Sequence, residues 1–139
     1  MNKIVTAIGS SCIDEYYEVD KMPGMGEKVN GRYKGNMVGG MIGNAASVLS
    51  GYGLEVYIVD FLEDSEESNV LKEDLIKYNI KLDAVSVSKE YYNNRCLILL
   101  DKSGERSIVI LSSKNKTYKL NQKQIEVLSK SDYIYTNPA

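Results

Sequence analysis

Gly39-Gly40-Met41-Ile42-Gly43-Asn44-Ala45-Ala46 is the stretch on which the reading of this chain turns. Two adjacent glycines punctuate the chain, and glycine permits positive φ and a close approach of backbone to another group. Beyond them Ala45, Ala46, Val48, Leu49 and Tyr52 recur at helical spacing, and Gly53 stands just past the helix end, where glycine is favoured. The stretch is therefore a turn that opens a helix. The free amides of such a helix start can face a ligand. A plain strand-to-helix turn asks for fewer glycines than Gly39, Gly40 and Gly43 supply, which favours a ligand. Asn44 can hydrogen-bond the hydroxyls of that ligand or cap its own helix.

Working outward, Lys3 to Gly9 reads as a short buried strand, and Asp14 to Val19 as a second, closed by Pro23-Gly24. Lys28 to Val38 is a more polar strand, and Leu54 to Leu62 another apolar one. Asp64 followed by Glu67 has the pattern of a capping box for a helix through Tyr78, with Leu71, Leu75 and Tyr78 on one face. Arg95 to Asp101 and Arg106 to Ser112 flank Lys102-Ser103-Gly104-Glu105 as a hairpin. Asn121 can cap a last helix carrying Ile125 and Leu128, before a strand from Tyr133 to Thr136. Alternating strands and helices imply βαβ units and a mainly parallel sheet. The segments 14–38 and 95–112 break that rhythm and are expected to form a small second sheet. No helix follows Thr136-Asn137-Pro138-Ala139, so the domain is expected to be cut short, with an uncovered edge strand.

With 139 residues, 43% of them hydrophobic, the chain has the size and composition of one folded domain. A formal net charge of −2 with no basic stripe argues against nucleic acid, and no apolar run could span a bilayer. The chain contains no His, and Cys12 and Cys96 lie far apart without ligand-type spacing, so zinc and His-based catalysis are not expected. Two lone thiols fit a reducing, cytoplasmic setting. The turn Gly9-Ser10-Ser11-Cys12-Ile13-Asp14 lacks the G-x-G-x-x-G spacing of a dinucleotide site, and no Walker sequence occurs.

The glycine turn, the Asn that opens the helix and Gly53 that ends it together resemble the N-terminal signature of the PfkB (ribokinase-type) carbohydrate kinases. Other stretches agree in order: Ile8-Gly9-Ser10 through Asp14, Met22-Pro23 with Gly26-Glu27, Asp64 to Ile80, and Asp101 to Arg106. The resemblance covers nearly the whole chain. It implies an α/β, incomplete ribokinase-like (Rossmann-like) fold over 1–139: a mainly parallel sheet with flanking helices, plus a β-sheet lid from 14–38 and 95–112. It also implies that Asp14, Gly39, Gly40 and Asn44 bind the substrate. On the bare residues alone, Asp14 reads as a solvated turn carboxylate, and it is the resemblance that favours sugar binding. Ile42, Glu63, Ser68 and Ser113 replace small residues or glycines of the family pattern. Cys12 and Met41 stand where ribokinases proper carry Asn and Lys, so the sugar is left unnamed.

The implied function is the N-terminal, sugar-binding portion of an ATP- and Mg-dependent kinase that phosphorylates a hydroxymethyl group of a sugar or nucleoside. The family's anion hole and catalytic Asp have no counterpart here, so no catalytic residue or metal ligand is assigned, and the chain alone is expected to be inactive. The alternative is a non-catalytic sugar-binding or lid-dimerisation module. Eleven Tyr residues, Tyr16, Tyr17, Tyr91 and Tyr92 in or near the lid, suit either sugar contacts or a dimer interface, and the pairing of lids between subunits that the resemblance implies favours a homodimer through that sheet. Met22, Met25, Met37 and Met41 flank the proposed site as packing residues, and Cys96 falls in a lid strand as an inert thiol.

Overall fold

A computed structural model describes residues 2–111 and 117–137. Ser112 to Asn115 and Pro138-Ala139 of the sequence reading lie outside the described residues. Along the chain run β1 (Ile4–Ile8), β2 (Cys12–Glu18), β3 (Arg32–Gly39), α1 (Met41–Gly51), β4 (Glu55–Glu63) and α2 (Glu66–Lys77). They are followed by β5 (Val85–Ser88), β6 (Asn94–Leu100), β7 (Arg106–Leu111), α3 (Gln122–Ser129) and β8 (Tyr133–Thr136).

The strands divide into two sheets. The first, in order β5-β4-β1-β8, is parallel throughout, as crossover helices between its strands require. The second, in order β3-β2-β6-β7, is mixed: β2 and β6 run parallel, while β3 and β7 close the two sides antiparallel. The strands expected outside the main sheet do join one another, from Cys12 rather than Asp14 and from Asn94 rather than Arg95. Strand β5 was not foreseen. Only four residues long, it sits at the edge of the parallel sheet, paired from Asp60 to Glu63.

Runs of β1 and β4 are buried on both faces of the parallel sheet. Val5, Ala7, Val56 and Ile58 are enclosed, and Ala7, Val56 and Ile58 meet Ile42 and Ala46 of α1 and Leu75 of α2 in one cluster. A second cluster of Ile13, Leu62 and Leu71 ties the outer sheet to β4 and α2, with Val38 packed against it. The guanidinium of Arg95 reinforces this joint by pairing with Glu15 beside it and with Glu67 of α2. Buried Gln124 fastens α3 by donating to the carbonyls of Ala84 and Asp60.

Helix ends follow the local sequence with one correction. The cap of α2 is Ser65, whose hydroxyl accepts from the Ser68 amide, and not Asp64. The Asp64 amide is taken by the Ser88 carbonyl, continuing the β4–β5 pairing, so the helix begins one residue later. Asn121 caps α3 in a reciprocal box with Gln124. Past α1, the amides of Gly53 and Leu54 return to the carbonyls of Ser50 and Leu49, with Gly53 at φ 81°. Among the described residues, no helix is long and apolar enough to cross a membrane.

Candidate functional site

A cleft of about 610 Å³ opens between the inner face of the outer sheet and the start of α1. Successive strand residues point to opposite faces. In β2 this sends Ile13 into the joint with Leu62 and Leu71, and leaves Asp14 and Tyr16 on the wall of the cleft. The same alternation brings Cys96 and Ile98 of β6, and Arg106, Ile108 and Ile110 of β7, onto that wall. Facing them, Gly40, Met41, Asn44 and Val48 present the first turns of α1.

Of the four residues singled out from the sequence, Asp14, Gly40 and Asn44 line this one cleft, and Gly39 lies directly behind Asp14. A Cβ at Gly39 would fall 2.0 Å from Oδ2 of Asp14, so only glycine leaves room for that carboxyl group. Gly40 is held at φ 85° and ψ 152°, a region almost confined to glycine. A Cβ there would come within 3.1 Å of the Ser10 carbonyl. Gly43 is different: a Cβ would make only an ordinary 3.6 Å contact with Val38, so the third glycine is not sterically required. Asn44 does not cap α1. Its amide donates to the Gly40 carbonyl within the helix, and its side chain is exposed to the cleft.

The turn beneath the start of α1 is fixed from the main sheet. Asp60 is 2% exposed and accepts from both the amide and the hydroxyl of Ser11, and from the Phe61 amide. Burial nevertheless pushes its carboxyl up to about 6, against those three donors. Gly9 is pinned in the same place, because Ile42 fills the space where its Cβ would stand, at 2.3 Å. Ile42, which departs from the small residues of the family pattern, is thus matched by the glycine below it.

Partial burial raises the Asp14 carboxyl above its ordinary range; hydrogen bonds from the Cys12 and Cys96 thiols and the charge of Arg106 oppose that rise. The reading of the two cysteines as distant is corrected here. Pairing of β2 with β6 sets Asp14 opposite Cys96, and the two sulfurs lie 3.2 Å apart. Sequence separation hid this because β6 joins β2 across two intervening helices. Met37 and Met41 line the cleft, whereas Met25 is fully exposed, away from it. Tyr16 lines the cleft, but Tyr91 instead packs on Phe61 and Tyr118. Arg106 was read only as part of a hairpin. Its alternation with Ile108 and Ile110 was the signal that it faces inward. A smaller cleft of about 200 Å³, walled by Gly9, Ser10, Phe61, Tyr92 and Tyr118, lies at the carboxyl ends of β1 and β4. None of the four singled-out residues lines it.

A family model described as "pfkB family carbohydrate kinase" matches residues 2–137. The chain is 32% identical over 127 residues to a curated ribokinase of Dictyostelium discoideum, covering 91% of this chain and 39% of that protein. Its fold is similar to that of Arabidopsis thaliana ribokinase complexed with ribose and ATP, with a TM-score of 0.79 and 20% identity over 98% of this chain and 45% of that one. It is also similar to ribokinase from Cryptococcus neoformans var. grubii serotype A in complex with ADP, with a TM-score of 0.72 and 21% identity over 97% and 40%. The chain therefore spans less than half the length of each of these relatives.

Proposed function

The chain belongs to the pfkB family of carbohydrate kinases, and on that premise we propose that it forms the substrate-binding portion of an ATP-dependent kinase acting on a hydroxymethyl group of a sugar or nucleoside. The observation that supports this reading is the cleft in which Asp14, Gly40 and Asn44 converge, with Gly39 behind them. An ionised carboxylate can accept from two neighbouring hydroxyls at once, and an exposed amide side chain can both donate and accept. Ile98, Ile108 and Val48 give the apolar faces on which a sugar ring can rest. The outer sheet acts as a lid over that ring.

Among the described residues, the turn after β1 is not free to hold a phosphate. The amide of Ser11, in the turn where a phosphate would have to approach, is already taken by Asp60. ATP and its magnesium ion are accordingly assigned to the remainder of a longer kinase, as is the catalytic base, and the 139-residue chain alone is inactive. A second feature favours self-association through the lid. Val109 and Leu111 of the edge strand β7 are exposed on the face turned away from the cleft, which suits a partner sheet in a cytoplasmic homodimer.

The test is calorimetric titration of the protein carrying this chain with a panel of pentoses, hexoses and nucleosides. Saturable binding of a polyhydroxylated member is expected. A folded protein that binds none of the panel would overturn the reading. Steady ADP formation by the isolated chain would contradict its assignment as the non-catalytic portion.

A further inference from the structure

Three potential metal ligands meet on the lid side of the cleft. Cys12 and Asp14 are two apart on β2 and so share a face, and Asp14 stands opposite Cys96 on β6. The sulfurs and a carboxylate oxygen all lie within 4.8 Å of one another, and the two sulfurs are 3.2 Å apart. We propose that Cys12, Cys96 and Asp14 form a binding site for a thiophilic divalent cation of the zinc type, with its fourth coordination position open to the cleft.

Dimensions and donor set both suit such an ion. In a tetrahedral site with Zn–S distances of about 2.3 Å, two thiolates lie roughly 3.8 Å apart, so the sulfurs need separate by about 0.6 Å. Two thiolates select zinc, cadmium or cobalt over magnesium, which prefers oxygen. Charge also balances. Two thiolates and one carboxylate around a divalent ion leave one negative charge, and Arg106 faces the same cleft. Cys96 and Asp14 line the open wall, which gives the ion a path in.

Metal binding stands on this geometry alone. Its consequence rests on the proposed function: an ion that takes the Asp14 oxygen removes it from the sugar, so metal and substrate exclude one another. A thiophilic ion would then act as an inhibitor at a site distinct from any magnesium that accompanies ATP.

The experiment uses Co²⁺ as a spectroscopic probe on the reduced protein carrying this chain, without sugar or nucleotide. Saturable binding with a thiolate-to-cobalt charge-transfer band and the visible bands of a tetrahedral ion is expected, displaced by Zn²⁺. Cys96→Ser, a half-buried and conservative change, should weaken binding by at least about 100-fold, since loss of a mere supporting partner already costs about 10–100-fold, and should lower the charge transfer per bound ion, one thiolate remaining in Cys12. Asp14→Asn should weaken binding while keeping the thiolate band. Absence of a thiolate band in folded, reduced wild type would overturn the proposal and leave the sugar reading untouched. A thiolate band that survives at full intensity in Cys96→Ser would also overturn it. A sugar that binds the metal-free protein should compete with Co²⁺. If the band forms but no member of the sugar panel binds, the metal site stands and the sugar reading fails.

Discussion

The starts of α1 and α2 are built in opposite ways. Helix α2 begins at Ser65 with a side-chain cap, and carries Glu66 and Glu67 in its first turn and Lys77 in its last, where the helix dipole favours them. Helix α1 begins at Gly40 with no side-chain cap, no acidic residue in its first turn and no basic one in its last. Its opening turns present Met41, Asn44 and Val48 to a cleft. Yet both helices end alike. Asn79 at φ 57° does for α2 what Gly53 does for α1, with Ile80 returning its amide to Leu75. One helix start is thus finished for stability, while the other is left open at the point where the carboxylate of Asp14 faces it.

That contrast can be broken from either side. The largest effect on stability is expected from Leu71→Ala. Leu71 is 1% exposed at the joint between α2 and the outer sheet, and truncation should cost about 2–5 kcal/mol in chemical denaturation. The pH dependence set by Asp60 comes next. Its folded carboxyl titrates at about 6, above its ordinary value of 3.8, so between those pH values the folded chain holds a proton that the unfolded chain has lost. Stability is then lost as pH rises through that window, by at most about 3 kcal/mol, and is level above it. Exposed carboxylates with lowered pKa, such as Glu18 and Asp132, pull the other way at lower pH. The slope is therefore read as the difference between wild type and Asp60→Asn in urea melts at pH 4 and pH 7. Gly40→Ala should cost about 1–3 kcal/mol from backbone strain and should also damage ligand binding, since it moves the start of α1. Ser65→Ala is the control: about 1 kcal/mol lost from α2 with ligand affinity unchanged. A loss of ligand affinity in Ser65→Ala equal to that in Gly40→Ala would erase the distinction between the two helix starts.

Much of this was legible in the sequence because it rests on local rules. Gly53, Asn121 and the hairpin around Gly104 declare their roles through turn and cap chemistry. The apolar run Lys3 to Gly9 could only be an inner strand. Strand β5 was missed because four residues of Val-Ser alternation lie below what periodicity can separate from a loop. Asp64 was read as the cap because Glu67 follows three residues later, but strand pairing with Ser88, a contact distant in sequence, holds Asp64 and moves the cap to Ser65. The site divides in the same way. Glycine pairing and Asn44 were visible from their spacing. The collision that makes Gly39 obligatory, the position of Arg106 and the meeting of Cys12 with Cys96 arise from pairing between β2, β3, β6 and β7, which no local pattern encodes.

Assignment of the cleft hangs on Asp14, whose carboxyl fills the space that Gly39 leaves for it. The most direct measurement is calorimetric titration of the best-binding sugar or nucleoside into wild type and Asp14→Ala of the protein carrying this chain, with circular dichroism to confirm that both are folded. Each charge-assisted hydrogen bond to a substrate hydroxyl contributes about 1.5–3 kcal/mol, so a loss of at least about 10-fold in substrate affinity is expected, with ATP affinity unchanged. Equal substrate affinity in a folded Asp14→Ala protein would contradict the assignment and place the substrate elsewhere.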